Sequence, residues 1–240
     1  MMTGARNRRS RIDCMQLQRD QDIHASVPLR QLRSGQWRSM APLLQRESGR
    51  RALRIGVADD DAVPPLPDVT WTRLWLRPDG YRGDLRGRAD EPLPFIDEAF
   101  DFVWLQHALE PMPQAAPLIG EACRVLAAGG VLAVTAVHPL SGWAPWFCWR
   151  ARGQHQSLQW PWRLRQHLRR EGLAIESLRR LGAPWPGDAQ SAGDSRWGGA
   201  YLLLARKQRR QAIPLKLRPL PVRAPVSARL SPGTRRHSVS

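Results

Sequence analysis

The sequence predicts an α/β fold, and three observations within residues 90–139 carry that prediction. Phe102 to Leu105 forms one apolar strand, and Val131 to Val137 forms another, apolar except for Thr135. Strands without polar alternation are buried on both faces, as in a parallel sheet covered by helices. Between them Ala115, Leu118, Ile119, Ala122, Val125 and Leu126 recur at helical spacing and make a single apolar stripe. Pro111 and Pro113 stand where a helix starts, and Gly129-Gly130 where one stops. The segment therefore reads as a β-α-β unit.

The flanking elements follow from the same rules. Residues 1–35 are polar and basic without sustained periodicity, which predicts a poorly ordered extension. Residues 36–48 predict a short helix with Trp37, Met40 and Leu44 on one side. Leu53 to Val57 is the expected first strand and Val69 to Leu76 the second. Asp84 to Ala89 is the expected third, weakened by Gly87. Downstream, residues 138–159 are rich in Pro, Trp and Gly, and Leu158 to Arg170 predicts a basic helix. Gly172 to Leu181 and Gly198 to Arg206 are the last two expected strands, joined by a Gly/Pro/Asp loop over 182–197.

Composition narrows the function. A chain of 240 residues suffices for one α/β domain with extensions. No run of eighteen apolar residues exists to span a membrane, and the charged N-terminus lacks the apolar core of a secretory signal. Cys14, Cys123 and Cys148 show no metal-ligand spacing, so no metal is expected and a reducing cytoplasm is the expected setting. No P-loop or G-x-S-x-G elbow is present. The net charge is +16, but nine of the 37 Lys and Arg fall within residues 207–240, where there is no acid. That Pro/Arg/Ser-rich tail predicts a largely disordered segment, able to contact RNA or acidic partners non-specifically.

Specific motifs add a resemblance. LPF-x-D-x-x-F-D-x-V at 93–103, then His107-Ala108-Leu109-Glu110, then Arg124-Val125-Leu126 closing on Gly129-Gly130-Val131-Leu132 resemble one known pattern. It is the second half of a class I S-adenosylmethionine-dependent methyltransferase domain of the type 11 group. The stretch Gly198 to Lys207 before the basic tail is similar to a proteobacterial branch of that group. The resemblance implies a Rossmann-like sheet over residues 36–206, mostly parallel, with an antiparallel last strand inserted between two parallel ones. It also implies S-adenosylmethionine as cofactor, bound at the carboxyl ends of the strands, and methyl transfer to an acceptor the sequence does not specify.

The resemblance assigns cofactor positions residue by residue. Gly56 keeps the first glycine of the loop after the first strand. Ala58 stands at the second glycine, Asp60 at the third, and Arg54 where an acid is common. Asp90 occupies the place of the acid that contacts adenine (a turn residue is the plain alternative), and Leu93 beside it is expected to be a further cofactor-binding residue. His107 closes the fourth strand, where it would line the cofactor pocket or serve as general base, with Glu110 placed to orient it. The ribose-gripping acid has no clear counterpart, Arg77 and Asp79 being nearest. Residues 59–68, carrying Pro64, Pro65 and Pro67, leave room for one helical turn in the first crossover. This shortened unit sets up a second expectation: a non-catalytic methyltransferase-fold scaffold that binds partners. The tryptophans from Trp143 to Trp162 sit where the group builds its acceptor cover, and read as an acceptor pocket, an interfacial surface, or packing.

Overall fold

A computed structural model describes residues 23–46, 51–58, 69–77, 80–88, 91–152, 156–187 and 195–208. Its centre is a seven-stranded sheet built from β1 (Arg51–Gly56), β2 (Thr70–Arg77), β3 (Gly80–Gly83), β4 (Phe100–Gln106), β5 (Leu126–Val137), β6 (Leu173–Leu181) and β7 (Ala200–Lys207). The strand order is β3-β2-β1-β4-β5-β7-β6. β1, β2, β4 and β5 run parallel, and β7 is antiparallel to both β5 and β6. The expected antiparallel strand between parallel neighbours is therefore β7.

Alternation along the strands explains the two covered faces. Leu53, Ile55, Val103, Leu105, Leu132 and Val134 point to one side. There they meet α2 (Ala116–Val125), through Leu118, Ile119, Ala122 and Val125, and α4 (Pro161–Arg170), through Leu164 and Leu168. Ala52, Phe102, Trp104, Val131, Ala133, Leu202 and Leu204 point to the other side, against Trp37 and Met40 of α1 (Val27–Arg46). A third cluster covers the carboxyl edge of the sheet. Here Ile23, Leu29 and Leu32 pack with Val137, Ala200, and Trp143 and Phe147 of α3 (Trp143–Arg150).

Three elements differ from expectation. The third strand is not Asp84 to Ala89: it is Gly80–Gly83, paired antiparallel to β2, and Gly87 makes only an isolated bridge to Tyr81. Gly80, at φ 140°, allows the close approach of the Gly87 carbonyl, from which an added Cβ would lie 2.1 Å. The helix expected over 36–48 begins at Val27, so the boundary at residue 36 falls inside it, with Leu29 and Leu32 already in the core. Gly129-Gly130 does not stop α2. The helix ends at Val125, and β5 runs through the glycines, with a pairing irregularity opposite Phe100 to Phe102. Gly130 packs against the Asp101 carbonyl, which a Cβ would approach to 2.7 Å.

Candidate active site at the carboxyl edge of the sheet

β1 and β4 end side by side, with Gly56 opposite Gln106, so Gly56, Val57, Ala58, Gln106, His107 and Ala108 share one edge. His107 leaves β4 with φ 52°, a left-handed conformation uncommon for a side chain other than glycine. Its N–H still donates to the Thr135 carbonyl (2.9 Å), which ties the turn to β5. Strain of this kind persists where surrounding contacts over-determine it, and it is common at functional sites.

Those contacts form a buried polar row. His107 Nδ1 lies 2.8 Å from Glu110 Oε1, and both side chains are wholly excluded from solvent. The Val137 N–H donates to the same carboxylate oxygen (2.9 Å). On the far side of the ring, the Gln36 amide of α1 lies 3.0–3.2 Å from His107 Nε2. An ionised Glu110 requires the proton on Nδ1, which leaves Nε2 as acceptor and the Gln36 NH2 as its donor. Glu110 Oε2 is buried and accepts no hydrogen bond. A one-turn spacing brings Glu110 to His107, whereas Gln36 arrives from 71 positions away.

Neighbouring groups feel the same burial. His24, buried beside this row, is held well below the ordinary histidine range, first by desolvation, with the Arg33 guanidinium adding to the effect. Arg33 is itself buried and donates to the His24 carbonyl (2.5 Å). Tyr201 is pushed well above the usual phenol range by burial and by Glu110, and its hydroxyl donates to the Gln159 carbonyl (3.1 Å).

Arg54 faces α1 from mid-strand, stacked over Trp104 (5.5 Å to the ring centroid), with Nε donating to Gln106 Oε1 (2.7 Å). Its guanidinium rises to the level of Gly56, where an added Cβ would lie 3.7–3.8 Å from Nε and Nη2. Gly56 thus keeps the floor low between two polar side chains. Ala58 is buried beside it. Leu93 lies elsewhere, in the core against the α2 side, with its N–H donating to Glu121 Oε2 (2.8 Å). Arg124 completes that clamp by donating to the carbonyls of Leu93 (3.0 Å) and Phe95 (2.8 Å). Asp90, Asp60, Asp79 and the connection 59–68 lie outside the described residues. Sequence reasoning singled out His107 and Glu110 but passed over Gln36, Arg33 and His24, because polar residues in a polar segment carry no signal of burial.

Comparison with known proteins bears on the fold and on residues 73–134. The type 11 methyltransferase-domain family model matches residues 73–134. Among solved structures, an S-adenosylmethionine-dependent methyltransferase from Thermotoga maritima superposes with a TM-score of 0.50 at 15% identity, covering 73% of this chain and 89% of that one. One from Mesorhizobium loti gives 0.45 at 16% identity, over 72% and 97% of the two chains. Among curated proteins no match is found. The sheet is that of the class I S-adenosylmethionine-dependent methyltransferases, and residues 73–134 carry the sequence pattern of their type 11 domain.

Proposed function

We propose that the chain is an S-adenosylmethionine-dependent methyltransferase whose reacting centre lies above the ends of β1 and β4. One observation carries the reading: a buried Glu110–His107 pair at the strained end of β4, in the sheet and sequence setting of a methyltransferase domain. The residues present fit the cofactor's amino-acid end. Gly56 and Ala58 keep the backbone approachable, and the Arg54 guanidinium at their level is suited to an α-carboxylate. Asp90 is proposed to contact adenine and Leu93 to support that turn from the core. When bound, the cofactor supplies a methyl group already activated on a sulfonium, so alignment provides much of the acceleration.

The chain's own contribution is orientation and proton acceptance. Glu110 fixes the His107 tautomer, so Nε2 is the acceptor for an acceptor-borne O–H or N–H once Gln36 yields its place. The partnerless Glu110 Oε2 offers a second buried acceptor beside it. The acceptor molecule is an alcohol, phenol or amine by this chemistry. A cytoplasmic setting is proposed with it. Among the described residues no helix is long and apolar enough to cross a membrane, and Cys123 and Cys148 are unpaired.

The test is calorimetric titration of the full chain with S-adenosylmethionine and S-adenosylhomocysteine. Binding in about the micromolar range, weakened by Asp90→Ala, is expected. A second reading, a non-catalytic scaffold, is favoured by the Gln36–His107 contact, which satisfies the floor of the edge from within the protein. Absence of heat at millimolar ligand would select it. RNA contact through the basic tail is proposed only as a side activity. Its mark is salt-dependent retention on RNA that disappears on deleting residues 207–240.

A further inference from the structure

The exposed tryptophans are distributed unevenly. Trp149, Trp160, Trp162, Trp185 and Trp197 are 37–75% exposed, and they are the exposed tryptophans among the described residues. All five belong to loops or helix ends at the carboxyl edge of the sheet. Trp149 ends α3, which follows β5. Trp160 and Trp162 open α4, and Trp185 and Trp197 lie in the β6–β7 connection. Local contacts tie the segments of Trp160, Trp185 and Trp197 to one another. Trp185 lies over Gly142, where a Cβ would meet its ring at 2.2 Å. Arg180 bonds the carbonyls of both Leu140 and Gly198, next to Trp197. The Leu140 N–H donates to His138, whose ring meets Tyr201 edge-on, and Tyr201 reaches Gln159 beside Trp160.

Two further features define the partner. The first is charge. This rim carries Arg152, Arg163 and Arg196 in its loops and helix starts and Arg180 near the end of β6, and Arg163 sits over the Trp162 ring at 5.2 Å. Across residues 107–112, 138–152, 156–165, 182–187 and 195–199 the single carboxylate is Glu110, which is fully buried, while Asp188 and Asp194 of the β6–β7 connection lie outside the described residues. The second is aliphatic exposure. Leu140 is 69% exposed on the same rim and Val27, at the start of α1, is 55% exposed. Bases stack on aromatic rings but gain little from leucine or valine, whereas the acyl boundary of a bilayer rewards both. Tryptophan with arginine is the pairing suited to the headgroup level of an anionic leaflet.

We propose that this rim docks the protein on an anionic lipid surface, with the tryptophans and Leu140 at the acyl boundary and the arginines among the phosphates. The candidate active site then opens toward the bilayer, and an acceptor dissolved in or anchored to lipid could reach it. Docking itself does not depend on methyl transfer, so its test uses no cofactor.

The full chain is sedimented with vesicles of phosphatidylcholine alone and of phosphatidylcholine with phosphatidylglycerol, and its tryptophan emission is read against brominated acyl chains. Co-sedimentation with the phosphatidylglycerol vesicles, a blue shift, and quenching by bromine are expected. The W149S/W162S/W197S variant alters rings that are more than half exposed, so its unfolding temperature should match the wild type while its vesicle affinity falls about tenfold or more. Wild-type binding without bromine quenching, and unchanged in the variant, would assign attachment to charge alone and overturn the proposal. Failure of the wild type to bind vesicles, with tryptophan-dependent retention on single-stranded RNA instead, would overturn it in favour of a nucleic-acid surface.

Discussion

Glu110→Ala is the most informative single change, because the structure says which groups it strands. Glu110 Oε1 accepts from His107 Nδ1–H and from the Val137 N–H, and neither donor has access to water. A buried donor left without a partner costs about 1–3 kcal/mol, so two of them cost about 2–6 kcal/mol together. For a domain of this size, at about 2–4 °C per kcal/mol, that is a fall in Tm of about 4–24 °C. Glu110→Gln keeps the shape and one acceptor oxygen, and should lose about half as much. The assay is urea unfolding of wild type, E110A, E110Q, H107N and the E110A/H107N pair. A coupling energy of about 0.5–3 kcal/mol between the two positions is expected for groups in direct contact. Were E110A to unfold within about 0.5 kcal/mol of wild type, the buried pair would not exist in solution and the proposed base would lose its support.

Three other expectations separate structure from binding. Gly56→Ala places a methyl at ordinary contact distance from Arg54 and Gln106; stability should hold or rise by about 0.4–1 kcal/mol while S-adenosylmethionine affinity drops in the same sample. His24→Gln should flatten the acid side of the stability curve. With the folded pKa depressed, the unfolded chain binds the extra proton, so wild-type stability falls as pH drops below about 6.5, by at most about 1.4 kcal/mol per pH unit, and levels off below the folded pKa. Unfolding followed from pH 8 to pH 5 in both proteins reads this directly, and parallel curves would deny the burial of His24. Arg124→Ala frees the carbonyls of Leu93 and Phe95 and the carboxylates of Glu121 and Asp97; a loss of about 1–3 kcal/mol by thermal unfolding is expected, since the site is only partly buried.

The β-α-β unit was legible in the chain because burial there is written locally. Val103, Leu105, Val131 and Val134 announce strands covered on both faces, and α2 shows its stripe at helical spacing. His107 and Glu110 were visible for a related reason: they fall three residues apart, immediately after a strand. The third strand was misread because Gly80 and Gly83 gave no apolar signal, and a hairpin edge pairs through backbone rather than through burial. α1 was read too short for the opposite reason. Its first half buries Arg33 and Gln36, polar side chains that look solvated until their partners are known.

Local periodicity, then, settles which segments are strands and helices and on which side they are apolar, since that information resides within a few neighbouring residues. Tertiary structure alone decides that Gln36 covers His107, that Arg54 rises to the level of Gly56, and that the exposed tryptophans of the β5–β6 and β6–β7 connections gather at the carboxyl edge. Those facts depend on distances between groups dozens of positions apart, and only chain closure can set them.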